Sequence, residues 1–223
     1  MGYFIYEIFL DLHLALNLFW FMSRFSFAES AWLQWSAPNL IYGAWALFSV
    51  FWLIAAFGAK PASRTENTPE RLVHILFMAA GFVLLFDSAP SQLNWLNHSF
   101  VPERRWLGWL GAWLTLAGVL FAIWARIKIG KEWSGEVQIK EGHQLIRSGP
   151  YAYVRHPIYT GLLIAVSGTA LAIDEYRALL GVLVFCVGFA RKAKKEESFL
   201  AAQFGPAFDE HRRRTGFFLP RFS

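Results

Sequence analysis

The chain has 223 residues, 56% of them hydrophobic, 18% aromatic and only 17% charged, whereas soluble domains carry about 25% charged residues. With a mean hydropathy of +0.35, this composition argues against a soluble globular domain and for a helical membrane protein. The formal charge of +5 lies in basic residues between apolar runs, a pattern of topology and anionic lipid rather than nucleic acid, and the lone Cys186 excludes an intramolecular disulfide framework or a Cys-based metal site.

Six apolar segments follow one another. The first, about 3–22, contains Glu7, Asp11, His13 and Asn17, and lacks the basic start of a signal peptide. The second, 38–59, is uncharged. The third, about 71–88, contains His74 and ends at Asp87. The fourth, 106–125, is uncharged and holds four Trp. The fifth, 157–173, and the sixth, about 176–190, are separated only by Asp174-Glu175, which predicts a tight antiparallel hairpin. A span needs roughly 20 residues, so the last two are short, and the sixth gains length if it runs on past Ala190. The expectation is an all-α polytopic protein with about six transmembrane helices. Glu7, Asp11, His13 and His74 are intramembrane polar groups and hence candidates for function, with helix–helix hydrogen bonding or a position near the interface the expected role. Gly43, Gly81, Gly108, Gly111 and Gly118 are expected to permit close helix packing.

Charge sets the orientation. With six crossings and a cytoplasmic N-terminus, all but four of the 21 Lys and Arg residues face the cytoplasm, the exceptions being Arg24, Arg104, Arg105 and Arg177. The positive-inside rule favours this arrangement. Both termini, the loop 126–155 and the tail after 190 are then expected on the cytoplasmic face. That loop is longer than a plain connection. Residues 136–147 are expected to include short extended pieces around a turn at Glu141-Gly142.

Chemistry concentrates at Gly149-Pro150-Tyr151-Ala152-Tyr153-Val154-Arg155-His156-Pro157-Ile158-Tyr159-Thr160-Gly161. Gly and Pro interrupt regular structure where an apolar span begins, and irregular polar backbone at a membrane boundary is costly unless it lines a cavity or binds something. Pro157 suits the first turn of the fifth helix. Beyond the sixth segment, 191–204 reads as a helix with a basic start and the Glu196-Glu197 pair. Gly205-Pro206 ends it, and a short helix follows from Ala207 to Arg214. A basic tail of this kind also suits simple anchoring to anionic headgroups.

Together these residues resemble the isoprenylcysteine carboxyl methyltransferase family of integral membrane enzymes and, more distantly, the phospholipid N-methyltransferases. The resemblance runs over roughly 126–222 and rests on the Arg-His-Pro-x-Tyr-x-Gly block, the apolar hairpin, the Glu-Glu pair and the later Phe-Gly and Leu-Pro. It implies methyl transfer from S-adenosylmethionine to a lipophilic acceptor, without a metal. It places cofactor contacts on Gln138, His143, Gln144, Leu145, Ile146, Tyr151, His156, Pro157, Ile158, Tyr159 and Glu196, with Glu196, Lys192 and Arg155 as catalytic groups and Lys192 touching the acceptor. His156 is expected to bind the cofactor carboxylate or to orient Glu196, and Glu197 to hold Arg155 or a basic neighbour. Where the family has Arg, this chain has Lys192, which keeps the charge without the bidentate fork. Where the family has Tyr-x-x-Tyr, it has Phe208 and His211.

The expected organisation is therefore 1–125 as N-terminal transmembrane helices and 126–223 as a catalytic region with a cytoplasmic cofactor-binding loop and tail. The partners are a lipophilic small-molecule acceptor and membrane lipid. Methylation of another lipid, an amine or a thiol stays open, as does a non-catalytic scaffold that keeps the fold. A nicotinamide-dependent reductase is a further alternative, against which stands the lack of a Gly-rich phosphate loop.

Overall fold

A computed structural model describes residues 36–56, 68–101, 105–130 and 145–221. These form six α-helices: α1 (Ala37–Ala56), α2 (Thr68–Phe86), α3 (Arg105–Ile129), α4 (Pro157–Ile173), α5 (Tyr176–Phe204) and α6 (Pro206–Arg214), with short 3-10 turns at Ser91–Asn97 and Gly149–Ala152. Among the described residues there is no strand, only one parallel bridge between Val154 and Gly216. The protein is all-α. Five of the six apolar segments are helices, and the first lies outside the described residues. Ala37–Ala55, Pro69–Phe86 and Arg105–Ile129 are each long and apolar enough to cross a bilayer.

The expected hairpin is present, and Asp174 makes its corner. Asp174 adopts the left-handed conformation (φ 57°) and its N–H caps α4 on the Ala170 carbonyl. Such a conformation is unusual for a side-chain-bearing residue and is best tolerated by Asn or Asp. Here the carboxylate is also held, accepting hydrogen bonds from the Val101 N–H at 3.0 Å and from the Ser99 hydroxyl. Arg177 donates to the Leu84 and Leu85 carbonyls at the end of α2. At the opposite end α5 continues without a break through its basic turn to Phe204 and stops at Gly205 (φ 48°), with Pro206 opening α6.

α3 and α4 run antiparallel and nearly touch backbone to backbone. A methyl group added at Gly118 would lie 2.5 Å from the Gly161 carbonyl oxygen, and one at Gly161 would lie 2.6 Å from the Ala122 nitrogen. Gly111 and Gly168 face the same seam. Small residues four apart on both helices permit this approach where lipid removes any hydrophobic drive to associate. Thr115 and Thr169 exchange a hydrogen bond across the seam at 3.1 Å, and the Trp45 indole of α1 donates to Thr169 at 3.1 Å. The expected packing role holds for Gly81, Gly111 and Gly118. Among the described residues, Gly43 has no neighbour within 4 Å and Gly108 meets only an ordinary contact with Ala37. A glycine on an apolar helix carries no mark of which face it occupies.

α2 packs antiparallel on α5 in a clear register. Glu70 pairs with Lys195 at 2.7 Å, Phe77 and Met78 meet Gly188, and Gly81 meets Phe185. Arg126 of α3 donates to the Ala55 carbonyl at the end of α1 at 3.0 Å. The C-terminal ends of α1 and α3, the N-terminal ends of α2 and α4, and the second half of α5 therefore share one side of the bundle. Among the described residues this side holds every Lys and Arg except Arg105 and Arg177, as the charge pattern predicts.

Candidate active site at the α4–α5 mouth

The site grows from the irregular elbow between α3 and α4. Gly149 takes a positive φ of 61°, and the 3-10 turn Gly149–Ala152 buries Pro150 and Tyr151. Tyr151 packs with Ala125, Ile158 and Ile146. Pro157 supplies the first turn of α4, where its missing N–H costs no hydrogen bond. This leaves His156 immediately before the helix, buried, with its ring directed at α5.

There Arg155 and His156 meet the carboxylate pair. His156 Nδ1 lies 3.4 Å from Glu196 Oε2, and His156 Nε2 lies 3.2 Å from Glu197 Oε1. Arg155 Nε donates to Glu197 Oε1 at 2.6 Å. The Tyr159 hydroxyl, in the first turn of α4, donates to Glu196 Oε1 at 2.5 Å. Among the described residues, the Tyr159 hydroxyl serves one Glu196 oxygen and the His156 ring the other, and a carboxylate oxygen can accept more than one hydrogen bond. The His156 side chain is 4% exposed, whereas that of Glu196 is 25% exposed. The cluster therefore sets the partly exposed Glu196 side chain on a buried imidazole.

Electrostatics follow from this geometry. Burial alone would favour a neutral His156, but the hydrogen bonds and charges of Glu196 and Glu197 outweigh it and hold the imidazole above its ordinary 6.5. Burial would likewise raise both carboxyls. Hydrogen bonding to His156 reverses this for each, aided by Lys192 and Tyr159 at Glu196 and by Arg155 at Glu197, so both stay below the ordinary range. Burial and then the Glu196 charge push the Tyr151 phenol upward, keeping it protonated. Burial and the cations of Arg147 and Arg155 lower His211, which keeps it neutral near physiological pH.

A C-terminal strap completes the wall, and nothing in the local sequence announced it. Arg155 N–H donates to Gly216 O at 2.9 Å, Gly216 N–H returns to Tyr153 O at 3.0 Å, and the Thr160 hydroxyl donates to Phe218 O at 2.8 Å. Arg155 also grips the Arg212 and Thr215 carbonyls. The Phe217 and Phe218 rings stand edge-on to His156 at 5.1 and 6.1 Å. Tyr159 stacks on Phe189 at 5.0 Å and on His156 at 5.8 Å, so its contribution is a positioned hydroxyl more than an open ring face. Only tertiary structure brings 216–218 to 154–160; Phe-Phe before Leu-Pro reads equally well as a membrane-surface anchor.

The structure thus gathers Arg155, His156, Pro157, Ile158, Tyr159, Glu196 and Glu197 at one mouth, with Tyr151 and Ile146 behind it. Lys192, one turn before Glu196, interacts electrostatically with it. Leu145 and Ile146 lead into the elbow as non-helical backbone. Gln138, His143 and Gln144 lie outside the described residues, as do Glu7, Asp11 and His13.

Comparison with known proteins agrees with this geometry. A model of the isoprenylcysteine carboxyl methyltransferase (ICMT) family matches residues 110–202. The resemblance to this family is thus shown over that region. The protein-S-isoprenylcysteine O-methyltransferase of Schizosaccharomyces pombe is 32% identical over 99 residues, covering 43% of this chain and 42% of that protein. The cobalt-zinc-cadmium resistance protein CzcN of Cupriavidus metallidurans is 34% identical over 125 residues, covering 54% of this chain and 56% of that protein. The chain spans about half the length of the curated relatives it matches. The solved structure of the eukaryotic intramembrane Ras methyltransferase ICMT superposes with a TM-score of 0.56 at 20% identity, covering 95% of this chain and 74% of that one. That likeness shows the fold, an integral membrane helical bundle.

Proposed function

We propose that this protein is a membrane methyltransferase that uses S-adenosylmethionine to methylate the carboxylate of a lipophilic acceptor. The observation that carries the reading is the convergence of His156 and Tyr159 on Glu196, 3.4 and 2.5 Å away across two helices. The family match over 110–202 and the fission-yeast relative support it.

The residues present fit this cofactor. A carboxylate that is fixed by two donors suits an ammonium or ribose hydroxyls. The α4 N-terminus and protonated His156 favour a carboxylate nearby. When bound, S-adenosylmethionine supplies a methyl group on a positively charged sulfur, open to in-line attack by an acceptor oxygen. The protein's part is alignment and exclusion of water. Glu196 holds the donor from one side, with Tyr151, Ile146 and the elbow backbone behind it. Arg155 acts through Glu197 and the strap carbonyls, as a positioning group. Lys192 attracts the acceptor carboxylate, which needs no general base. The orientation that follows is cytoplasmic entry of the cofactor, with both termini on that side and the acceptor tail reaching the site from the bilayer.

The test is saturable binding of radiolabelled S-adenosylmethionine to the purified protein in detergent. Hydrogen bonds to charged groups contribute about 1.5–3 kcal/mol, so Glu196→Gln and His156→Ala should each weaken binding by at least about tenfold. Full affinity in either variant would place the cofactor elsewhere. Absence of saturable binding in the unsubstituted protein would leave the scaffold reading.

A further inference from the structure

We propose that His74, on α2, is a specificity-determining residue for the acceptor, donating from Nδ1 to the acceptor carboxylate alongside Lys192. This rests on the methyltransferase reading above. Sequence alone suggested helix–helix hydrogen bonding or a position near the interface for His74; among the described residues its buried Nδ1 has no hydrogen-bond partner. A buried ring nitrogen without a partner is costly, and such a group in a membrane helix marks a site by default.

The register of α2 on α5 fixes where this nitrogen lies. Glu70 pairs with Lys195, and Phe77 and Met78 meet Gly188. His74, one turn beyond Glu70, therefore stands opposite the turn of α5 that carries Lys192. Lys192 interacts electrostatically with His74 on one side and with Glu196 on the other. The order His74, Lys192, Glu196 thus leads from α2 along α5 to the carboxylate at the mouth.

Chemistry says what the pair does. A carboxylate acceptor offers two oxygens, and a single arginine can satisfy both through its planar fork. A lysine is a point charge without that geometry. Here a second donor from the neighbouring helix supplies the missing direction: Lys192 neutralises the charge and His74 Nδ1–H orients one oxygen. Two donors on two helices bind a carboxylate and discriminate against its carboxamide, whose NH2 cannot accept a hydrogen bond from either.

The experiment measures binding of a radiolabelled prenyl thioether carboxylate and of its carboxamide to the detergent-solubilised full chain, with S-adenosylmethionine binding measured in parallel. The unsubstituted protein should prefer the carboxylate. His74→Leu, which keeps bulk without a donor, should lose about tenfold of that preference while cofactor affinity stays within twofold. His74→Asn, which keeps an N–H, should retain most of it. Lys192→Arg should restore the preference in the His74→Leu background by supplying the fork. An undiminished carboxylate preference in His74→Leu would overturn the proposal, as would joint loss of cofactor binding in His74→Leu and His74→Asn, which would make His74 a packing residue. If the unsubstituted protein binds cofactor but shows no carboxylate preference, the assigned acceptor class fails and this role for His74 fails with it. The methyl-donor reading would then survive.

Discussion

Along α4 the side toward α3 is nearly bare of side chains, with Gly161, Ala165 and Gly168 letting two backbones meet. The N-terminal end of the same helix, toward α5, carries a capping histidine and a first-turn tyrosine aimed at two glutamates. The seam has no freedom, because its neighbours are backbone atoms that cannot move aside. The mouth is assembled from side chains that pair opposite charges within the cluster. The contrast teaches that rigidity in the apolar seam is what allows four polar groups from different elements to sit within hydrogen-bonding distance at the membrane surface.

Breaking the seam should give the largest effect. Gly161→Leu would force the added side chain into the backbone of Ala122, an overpacking that costs about 3 kcal/mol or more. The melting temperature followed by tryptophan fluorescence in detergent should fall sharply, and cofactor binding should go with it. A variant that keeps its melting temperature would mean that the two helices are held mainly by something else.

The mouth should fail in a different way, through charge and without collapse. His156 contributes fully below its ordinary 6.5, and that contribution fades as pH rises through its elevated native value. Glu196 and Glu197 contribute fully above the ordinary 4.5, and theirs fades as pH falls through their depressed native values. Cofactor affinity should therefore hold a plateau from the upper carboxylate range past 6.5 and decline at the alkaline end. In His156→Gln the alkaline decline should vanish along with most of the affinity. An unchanged alkaline limb would assign that titration to another group.

The strap offers a finer cut. Removing the Phe218 ring by Phe218→Ala takes away an edge-on contact with both His156 and Tyr159. It leaves the Thr160 hydrogen bond, which goes to the Phe218 backbone carbonyl. Cofactor affinity should fall by a few-fold, with a melting temperature near that of the parent. A larger loss of stability than of affinity would make the strap a structural clamp alone.

The smallest effect should come from the end of the bundle opposite the mouth. Asp174→Ala removes hydrogen bonds to Val101 and Ser99 at the hairpin corner, worth about 1 kcal/mol net. Unfolding should become easier by that amount while cofactor affinity is unchanged. A change in affinity would show that the two ends are coupled through α4 and α5.

By itself the sequence determined the membrane class, the order of the helices, the short hairpin, the continuous helix through Glu196-Glu197 and the side of the bundle that carries positive charge. These follow from apolar run lengths, from Gly-Pro breaks and from charge placement, all of which act locally along the chain. It also identified Arg155, His156, Tyr159, Glu196 and Glu197 as one set, because their residue types and spacing are not those of a plain membrane helix. Tertiary structure alone decided the rest. It selected Gly161 and Gly168 for the α3–α4 seam, since a glycine does not reveal its partner. It laid Phe217 and Phe218 over His156 through a bridge between residues 154 and 216, and it set His74 opposite Lys192 by the register of two antiparallel helices. Such pairings depend on how far each helix slides against its neighbour, and that is settled by side-chain packing between distant segments, to which no local pattern is sensitive.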